Sequence, residues 1–377
     1  MAIANGRQLD DALEFPRIKH LGLAGMRFES IKRWMATATL CVACHSAYGT
    51  DALYDDAPPL VVTLTAPFES VTRAKNDEER PYFDGTLAFE DPVNGNVILN
   101  LGLRARGNFR RENCRFIPLQ LNFKKSEVPT TYFRDQNKLK LVRACRPGQR
   151  ASDWLMLEYL SYRAWALVSD HHFRTRLLNV RFVDSDNDNE VREALAFIVE
   201  SDNDTAARLN GSLVPTTIKR RQLDEPHTAL FELFQFFIGN SDYSTTRVAE
   251  GRTCCHNSRL IDHGESAENL KLIPYDFDHA GIVSTNYARP PDWLSNRITS
   301  VRQRYFIGVC KSSPELWQDA ITRFQAQRTT LRELFDNPLL SNKNRRDALK
   351  YVDAFFEIVD DPKKVERFIV RRCRGKS

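Results

Sequence analysis

The stretch that decides the predicted fold begins at Val97, where the chain has the strand-like sequence VILNLGLRARGN (Val97 to Asn108). Two further strand-like segments follow, RFIPLQLNF (Arg115 to Phe123) and KLKLVRAC (Lys138 to Cys145). Upstream, PLVVTLTAPF (Pro59 to Phe68) alternates as a half-buried strand does. Turn residues separate these segments, so residues 59–145 are predicted to form a mainly antiparallel sheet.

Helices are predicted to dominate the remainder. Ser152 and Asp153 are suited to cap a helix that runs from Ser152 to Ser169. After this helix, FRTRLLNVRFVD and EALAFIVE are predicted to form two strands on either side of an acidic turn. Further helices are predicted at TALFELFQFFIG, at Pro314 to Phe335 and at Lys343 to Val359. The aromatic run FELFQFF is predicted to be buried helical core. This order indicates an α+β, two-lobed layout.

The composition is that of a globular protein, and the cationic charge is spread along the chain. Among the 377 residues, the net charge is +5, and no basic stripe interleaved with aromatics stands out. A nucleic-acid partner is therefore not expected.

An export signal is predicted near the N-terminus. Lys32 and Arg33 precede the apolar run WMATATLCVAC, which is followed by small and polar residues. The run is too short to span a bilayer, so no transmembrane segment is expected in the mature chain. The predicted location is the periplasm, the cell envelope or the extracellular space. Open alternatives are a start at Met26, a lipid anchor at Cys44 and a buried N-terminal helix.

Cysteine usage agrees with export. Without the leader, six cysteines remain: Cys114, Cys145, Cys254, Cys255, Cys310 and Cys373. An even number in an oxidising compartment predicts disulfides, and Cys114 with Cys145 on neighbouring strands is the favoured pair. Cys254 and Cys255 are expected to reach different partners, with Cys310 and Cys373 as candidates. A zinc site is the alternative, although no CxxC pair occurs in the mature chain.

The candidate chemistry lies in the acidic tract from Gly239 to Gly281. Asp242 follows an apolar helix, Asn257 opens a short strand, and a second strand leads into Asp276 and Asp278. Such residues can converge at one edge of a fold, where oxygen donors bind hard cations such as Mg²⁺. In phosphoryl transfer an Asp accepts the proton of the attacking hydroxyl, and an Asn and a second Asp hold the metal ions. The alternative is that these residues only cap helices and shape turns.

Several motifs in order make the chain similar to the spore-coat, CotH-like family of atypical protein kinases. They cover about residues 97 to 281 and comprise RARGN, PLQLNF, KLKLV, EYLSYRAW, AFIVE, GNSD, HN and IPYDFD. The resemblance implies a protein-kinase-like fold with a β-rich N-terminal lobe and a mostly helical C-terminal lobe. The expected organisation is a leader at 1–50, the β-rich lobe with one helix at 51–200 and the helical lobe at 201–377.

The resemblance also implies roles for individual residues. Asp242 corresponds to the catalytic-loop Asp, and Asn257 and Asp276 to metal ligands, with Asp278 as a further ligand. Lys140 paired with Glu158 is expected to hold nucleotide phosphates, with Lys138 as the alternate to Lys140. The segment RARGNFRR stands in for a glycine-rich loop, and Arg106, Gly107 and Asn108 are expected to contact phosphate. His279 is a candidate nucleotide or substrate contact.

The predicted function is an exported kinase-like protein that binds ATP with Mg²⁺ or Mn²⁺ and phosphorylates Ser, Thr or Tyr of an unknown protein partner. The alternative is an inactive pseudokinase or a cell-envelope interaction module. The segment between Asp242 and Asn257 is much longer than in ordinary kinases, and it leaves both functions open. A third alternative is a calcium-stabilised adhesion-like domain, because DSDNDNE (Asp184 to Glu190) resembles the start of a calcium loop without its glycine. His171, His172 and His227 have no ligand partners at metal spacing and are predicted to be structural.

Overall fold

The hairpin between Thr175 and Val199 determines the architecture. The computed structural model describes residues 52–55, 57–128, 130–247, 254–309 and 314–374. These residues belong to one compact unit, Tyr48–Ser377. The strands are β1 Leu60–Ala66, β2 Phe83–Asp91, β3 Gly95–Ala105, β4 Leu119–Phe123, β5 Lys138–Arg143, β6 Thr175–Asp184, β7 Glu190–Val199, β8 Ser212–Leu213, β9 Ser258–Asp262 and β10 Lys271–Pro274.

Nine helices lie between and after the barrel strands in the described ranges. They are α1 Phe68–Arg73, α2 Phe109–Asn113, α3 Gln149–Val168, α4 Asp202–Arg208, α5 Glu225–Ile238, α6 Pro314–Ala326, α7 Arg328–Phe335, α8 Asn342–Val359 and α9 Pro362–Phe368. Strands β8, β9 and β10 form a separate three-stranded sheet among them. In the described ranges, no helix is both long and apolar enough to cross a bilayer.

Seven strands close into a barrel in the order β1-β2-β3-β4-β5-β7-β6. β7 pairs antiparallel with β5, and β6 pairs parallel with β1 from Leu60 opposite Leu178 to Ala66 opposite Asp184. The predicted two-lobed, protein-kinase-like fold with a helical C-terminal lobe is therefore wrong. The chain folds as a closed mixed β-barrel with helices, because the β6–β7 hairpin joins the two edges of the predicted sheet.

Alternating side chains fill the barrel. In β1, Val62, Leu64 and Ala66 are buried, and they share the interior with residues such as Leu103 and Leu139. Each Val or Leu side chain among them contributes about 1.5–3 kcal/mol when fully buried. The barrel therefore has its own apolar core.

A second core surrounds α3 and α5. Trp165 of α3 contacts the rings of Phe231 and Phe234 on α5, and Phe197 on β7 belongs to the same cluster. All residues of α5 from His227 to Ile238 are buried, which confirms the prediction that FELFQFF is helical core. This core packs helices against the outside of the barrel and so positions the residues that follow α5.

The start of α3 differs from the sequence prediction. The helix begins at Gln149 after the N-cap Gly148, so Ser152 and Asp153 lie inside it instead of capping it. Asp153 is buried and accepts hydrogen bonds from the backbone N–H (2.9 Å) and the hydroxyl (2.6 Å) of Ser341, the N-cap of α8. Asp153 therefore joins α3 to the start of α8.

The single helix predicted from Pro314 to Phe335 is divided into α6 and α7. Gln327 lies between them with φ of −97° and ψ of 7°, and the chain changes direction there. The division lets Phe324 of α6 and Phe335 of α7 both pack on Phe237 of α5, with ring centroids 5.4 and 6.1 Å apart.

Four predictions concern residues outside the described ranges: the leader, the start at Met26, the lipid anchor at Cys44 and the pairing of Cys310. The predicted Cys114–Cys145 disulfide is present, with an S–S distance of 2.17 Å. Cys254 and Cys255 are bonded to each other, so the prediction that they reach different partners is wrong. Cys373 is also disulfide-bonded.

Candidate functional site

One cleft of about 550 Å³ brings the sequence-predicted site residues together. We call it the central cleft. Its lining includes ten residues to which the sequence analysis gave a role: Lys140, Glu158, Arg106, Gly107, Asn108, Asp242, Asn257, Asp276, Asp278 and His279. They come from the loop after β3, from β5, from α3 and from the loops after α5, before β9 and after β10. Side chains without a predicted role also line it, among them Arg80, Arg110, Tyr162, His256, Arg259 and Tyr275.

The end of α5 directs Asp242 into the central cleft. Gly239 ends the helix with a left-handed φ of +67°, and a Cβ there would meet the Tyr351 hydroxyl at 1.9 Å. Only glycine fits this position without displacing its neighbour. The Asn240 side chain then accepts a hydrogen bond from the Asp242 N–H (2.9 Å), which turns the chain toward the cleft.

Asp242 is held by the two residues that precede β9. His256 Nε2 donates to Asp242 Oδ1 (2.7 Å), and Asn257 Nδ2 donates to Asp242 Oδ2 (3.0 Å) and to its backbone carbonyl (2.7 Å). Burial raises the pKa of Asp242, but the hydrogen bond from His256 and the neighbouring charges outweigh it and bring the pKa below its ordinary value. The carboxylate is therefore ionised at neutral pH. His256 lies in the predicted HN motif, yet no role was expected for it.

The vicinal disulfide supports this arrangement from the side of β9. Cys254 donates its N–H to the Pro215 carbonyl (2.9 Å), and Cys255 donates its N–H to the Ser258 carbonyl (2.8 Å). Cys255 itself lines the central cleft. The backbone that leads into His256 is thus tied on both sides.

Asp276 is presented by an anchored turn after β10. Its φ of +63° is left-handed, and its N–H donates to the Tyr162 hydroxyl (2.9 Å). The next residue, Phe277, is fully buried and packs on Tyr162 and Phe234 with ring centroids 4.6 and 5.6 Å apart. Burying Phe277 leaves Asp276 at the surface of the cleft.

The carboxylate of Asp276 is crowded by a second carboxylate. Burial and the charge of Asp278 raise its pKa to about 6, although Arg110 and Arg106 counteract this. Within the described ranges, no hydrogen bond or ion pair reaches this carboxylate. A crowded carboxylate that has no donor of its own is suited to receive a cation.

Asp278 and Glu158 share one buried arginine. Arg110 Nη1 contacts the Glu158 carboxylate at 3.0 Å, and its Nε lies 3.8 Å from Asp278. Tyr287 also donates its hydroxyl to Asp278 (2.9 Å). Burial raises the pKa of Glu158 despite Arg110, and the charges of Asp278 and Asp276 raise it further. Arg110 belongs to the RARGNFRR segment, where only its neighbours were predicted to contact phosphate.

The predicted Lys140–Glu158 ion pair does not form. Lys140 pairs instead with Asp202 at the start of α4, and Arg259 Nε donates to the other oxygen of Asp202 (2.8 Å). Asp202 reaches Lys140 because α4 follows β7, the strand next to β5 in the barrel. The alternate, Lys138, is exposed and does not line the central cleft.

Two arginines give the cleft a cationic rim. Arg106 and Arg80 line it, and neither forms a hydrogen bond or ion pair through its side chain within the described part of the chain. Burial lowers the pKa of Arg80, and the charges of Arg111, Arg104 and Arg106 lower it further. Gly107, with φ of +80°, turns the backbone that follows Arg106. The rim thus offers charge to an anionic ligand.

His279 packs beside aromatic rings at the cleft. Its ring centroid lies 5.8 Å from that of Phe109 and 5.7 Å from that of Tyr287. Phe109 is exposed, at 43% of its surface. These rings offer a flat apolar surface next to the carboxylates.

The donor set fits a magnesium or manganese ion held jointly with phosphate. Across the described ranges, no group of three or more His, Cys, Asp or Glu side chains is arranged to hold a metal ion alone. Mg²⁺ commonly binds through one or two carboxylates, with phosphate oxygens and water as the other ligands. Asp276 and Asp278 can supply the carboxylates, and Asn257 retains its carbonyl oxygen, because its amide nitrogen faces Asp242.

The acidic turn that resembles a calcium loop has structural contacts. Asp184 Oδ1 accepts from the Phe68 N–H (2.9 Å), and Asp186 Oδ2 accepts from the Ser70 N–H (2.7 Å). These carboxylates therefore hold the start of α1 against the β6–β7 turn.

The three histidines that were predicted to be structural also have protein partners. His227 is buried, and its Nε2 lies 2.6 Å from the Leu272 carbonyl oxygen. His172 Nδ1 lies 2.8 Å from the Ser169 carbonyl oxygen, and His171 Nε2 lies 3.0 Å from His263 Nε2.

Comparison of the chain with protein-family models gives no match, and comparison with curated proteins gives none either.

Proposed function

We propose that the central cleft binds a nucleotide together with Mg²⁺ or Mn²⁺ and transfers its terminal phosphoryl group to a hydroxyl of a protein partner. The observation that carries the proposal is the convergence of Asp242, Asn257 and Asp276 with the arginines of the cationic rim in one cleft. Phosphoryl transfer depends mainly on positioning and charge neutralisation, and these groups supply both. The proposal keeps the chemistry that the sequence resemblance implies but not its fold.

Asp242 is the proposed acceptor of the proton from the attacking hydroxyl. His256 and Asn257 keep its carboxylate ionised and fix its orientation. A base must be deprotonated and well positioned before it can accept a proton in the transition state. Both conditions are met by contacts within the cleft.

The proposed phosphate contacts come from the cationic rim. Among the described residues, Arg106 and Arg80 have no carboxylate partner, and the backbone at Gly107 and Asn108 also lines the cleft. Lys140 lies in the same cleft, beside the Asp202 carboxylate.

Asp276 and Asp278 are the proposed metal ligands. A metal ion held there would neutralise phosphate charge and orient the transferred group. The crowding of the two carboxylates supports this role, because a bound cation would relieve their repulsion.

Nucleotide binding is tested by calorimetric titration of the full chain with Mn-ATP. The wild-type protein is expected to bind, Asp276→Ala is expected to bind at least about tenfold more weakly, and Asp319→Ala, at an exposed position on α6, is expected to bind as the wild type does. Absence of binding by the wild-type protein would remove the proposal. Transfer is then followed with labelled ATP and a generic protein acceptor, comparing wild type with Asp242→Asn.

A second candidate is an inactive nucleotide-binding or cell-envelope interaction module. It is supported by the ion pairs of Lys140 and Glu158, since Lys140 already pairs with Asp202 and Glu158 with Arg110. If this candidate is right, the protein either binds Mn-ATP without transferring phosphate or does not bind it at all. Asp242→Ala and Asp276→Ala are then expected to change stability without changing binding. Transfer that disappears in Asp242→Asn while the melting temperature stays constant would reject it.

The proposed location is outside the cytoplasm. It rests on the leader pattern and on the disulfides at Cys114–Cys145 and Cys254–Cys255. Fractionation of cells that express the full chain, with N-terminal sequencing of the mature protein, tests it. A cytoplasmic protein with an intact N-terminus would contradict the proposal.

A further inference from the structure

Arg143 lines two cavities that share no lining residue with the central cleft. Their volumes are about 240 Å³ and 340 Å³, and both are lined by Phe116, Arg143, Phe182 and Arg192. Arg143 is the last residue of β5 and stands opposite Ala196 of β7. We call the cavity of about 340 Å³ the Arg143 cavity.

Arg143 is a buried charge whose partners are aromatic rings. Only 9% of its surface is exposed, and in the described ranges its side chain makes no hydrogen bond or ion pair. Its guanidinium carbon lies 4.1 Å from the ring centroid of Phe182, 5.0 Å from that of Phe116 and 5.5 Å from that of Phe68. Ring faces attract a cation but do not replace the hydrogen bonds that a buried guanidinium loses from water.

The nearby carboxylates have other partners. Asp184 Oδ1 accepts from the N–H groups of Phe68 and Asp186, and Glu190 binds Arg192 at 2.6 Å. Burial and, to a smaller extent, the charge of Arg192 lower the pKa of Arg143 to about 10, although the charge of Asp184 counteracts them. The guanidinium remains charged at neutral pH, and no carboxylate among the described residues contacts it.

The Arg143 cavity has an excess of positive charge. Of the described residues that line it, Arg143, Arg146 and Arg192 are cationic, and the exposed Glu193 is the one carboxylate. Gly148, at the start of the 20-residue helix α3, also lines it. Gly148 provides no capping side chain, so the positive end of α3 adds to the field of the arginines.

The walls of the cavity are aromatic and held in place. Phe116 and Phe182 form two of them, and the Phe116 N–H donates to the Cys145 carbonyl (3.1 Å). The disulfide between Cys114 and Cys145 ties the segment before Phe116 to the segment that carries Arg146. The rings that stack on Arg143 therefore also line the cavity, so an apolar surface lies next to the cation.

We propose that the Arg143 cavity binds a small organic anion, a carboxylate or phosphate carried on an aromatic or apolar body. The anionic group pairs with Arg143 and Arg146 near the start of α3, and the body lies against Phe116 and Phe182. This site shares no lining residue with the central cleft, so its test does not require nucleotide binding there.

Calorimetric titration of the full chain with phenyl phosphate, benzoate and inorganic phosphate tests the proposal. We expect phenyl phosphate or benzoate to bind with a dissociation constant below about 1 mM. Arg143→Met, which keeps the apolar stem, is expected to weaken binding at least about tenfold, because a charge-assisted hydrogen bond is lost. Arg146→Gln is expected to weaken it several-fold and serves if Arg143→Met does not fold.

The matched control is Arg150→Gln, an exposed arginine in the first turn of α3 that lines a different cavity. It is expected to bind as the wild-type protein does. No binding by the wild type, or undiminished binding by both Arg143→Met and Arg146→Gln, overturns the proposal. If inorganic phosphate binds as tightly as phenyl phosphate and benzoate does not bind, the claim that the ligand is an organic anion is overturned, because the aromatic rings then contribute nothing to affinity.

Discussion

The amide nitrogen of Asn257 donates to both the side chain and the backbone carbonyl of Asp242, at 3.0 and 2.7 Å. The two residues are separated by 15 positions in sequence and form one unit in space. This contact fixes the orientation of the Asp242 carboxylate and turns the carbonyl oxygen of the Asn257 side chain away from it. The geometry therefore allows Asp242 to act as a base while Asn257 contacts a cation.

Asn257→Ala is expected to lower the free energy of unfolding by about 1–2 kcal/mol, because two partly buried acceptors on Asp242 lose their donor. Urea denaturation measures the loss. Asn269→Ala is the matched control: Asn269 also has a left-handed φ, +51° against +52° for Asn257, and its side chain donates to Glu265 at the exposed surface. The difference between the two losses of unfolding free energy measures the contact of Asn257 with Asp242. Equal losses would show that only the left-handed backbone at each position matters.

The raised pKa of Asp276 predicts a pH dependence of stability. Its folded-state pKa of about 6 lies above the unfolded value of 3.8, so the folded state holds more protons between these values. The stability that Asp276 contributes is present below about pH 4 and is lost as the pH rises through about 6. The loss is expected to be about 3 kcal/mol at most.

Unfolding curves from pH 4 to pH 7 test this expectation. Asp276→Asn is expected to reduce the loss, with the remainder due to Glu158, whose pKa is also raised, whereas Asp319→Asn, at an exposed position on α6, is expected to keep the loss in full. Mn-ATP affinity is expected to change in the opposite direction and to rise through about pH 6, because a metal ligand must be deprotonated. A wild-type curve parallel to that of Asp276→Asn would contradict the assignment.

Arg110→Met is expected to lower the free energy of unfolding by about 3–5 kcal/mol, since it leaves Glu158 and Asp278 buried without their cation. Chemical denaturation at neutral pH measures the change. Adding Glu158→Gln to Arg110→Met is expected to recover part of the stability, because one unpaired charge is removed.

The exposed pair Arg332–Asp353 provides the comparison for Arg110. Arg332→Met is expected to cost about 0–1 kcal/mol, as is usual for a surface ion pair. If Arg110→Met were no more costly than Arg332→Met, Arg110 would not be the counterion that the buried carboxylates need.

His256→Ala is expected to raise the pKa of Asp242, because the hydrogen bond from His256 is the largest influence that lowers it. Carboxyl NMR titration of the wild type and the variant measures this pKa directly. In a pH profile of phosphotransfer activity, the acidic limb is expected to move to higher pH by the same amount as the pKa of Asp242. His263→Asn, outside the central cleft, is the control, and an unchanged Asp242 titration in His256→Ala would reject the coupling.

Much of the local structure follows from the sequence. Alternation predicted the positions of β1, β3, β4 and β5, and helical periodicity predicted α3, α5 and α8 to within a few residues. The disulfide between Cys114 and Cys145 was also predictable, because both cysteines flank neighbouring strand segments. The motifs GNSD, HN and PYDFD identified Asp242, Asn257 and Asp276, and the structure brings these residues to one cleft.

Only the tertiary structure decided how the strand edges and the charges pair. Period-2 alternation shows that a strand has a buried face, but it does not show which edge β6 and β7 will join, and so barrel closure was missed. Ion pairs depend on distances across the fold, which is why Glu158 pairs with Arg110 and Lys140 with Asp202. The sequence by itself determined which side chains are available to the cleft, and the packing of the barrel against α3 and α5 decided which charges they meet.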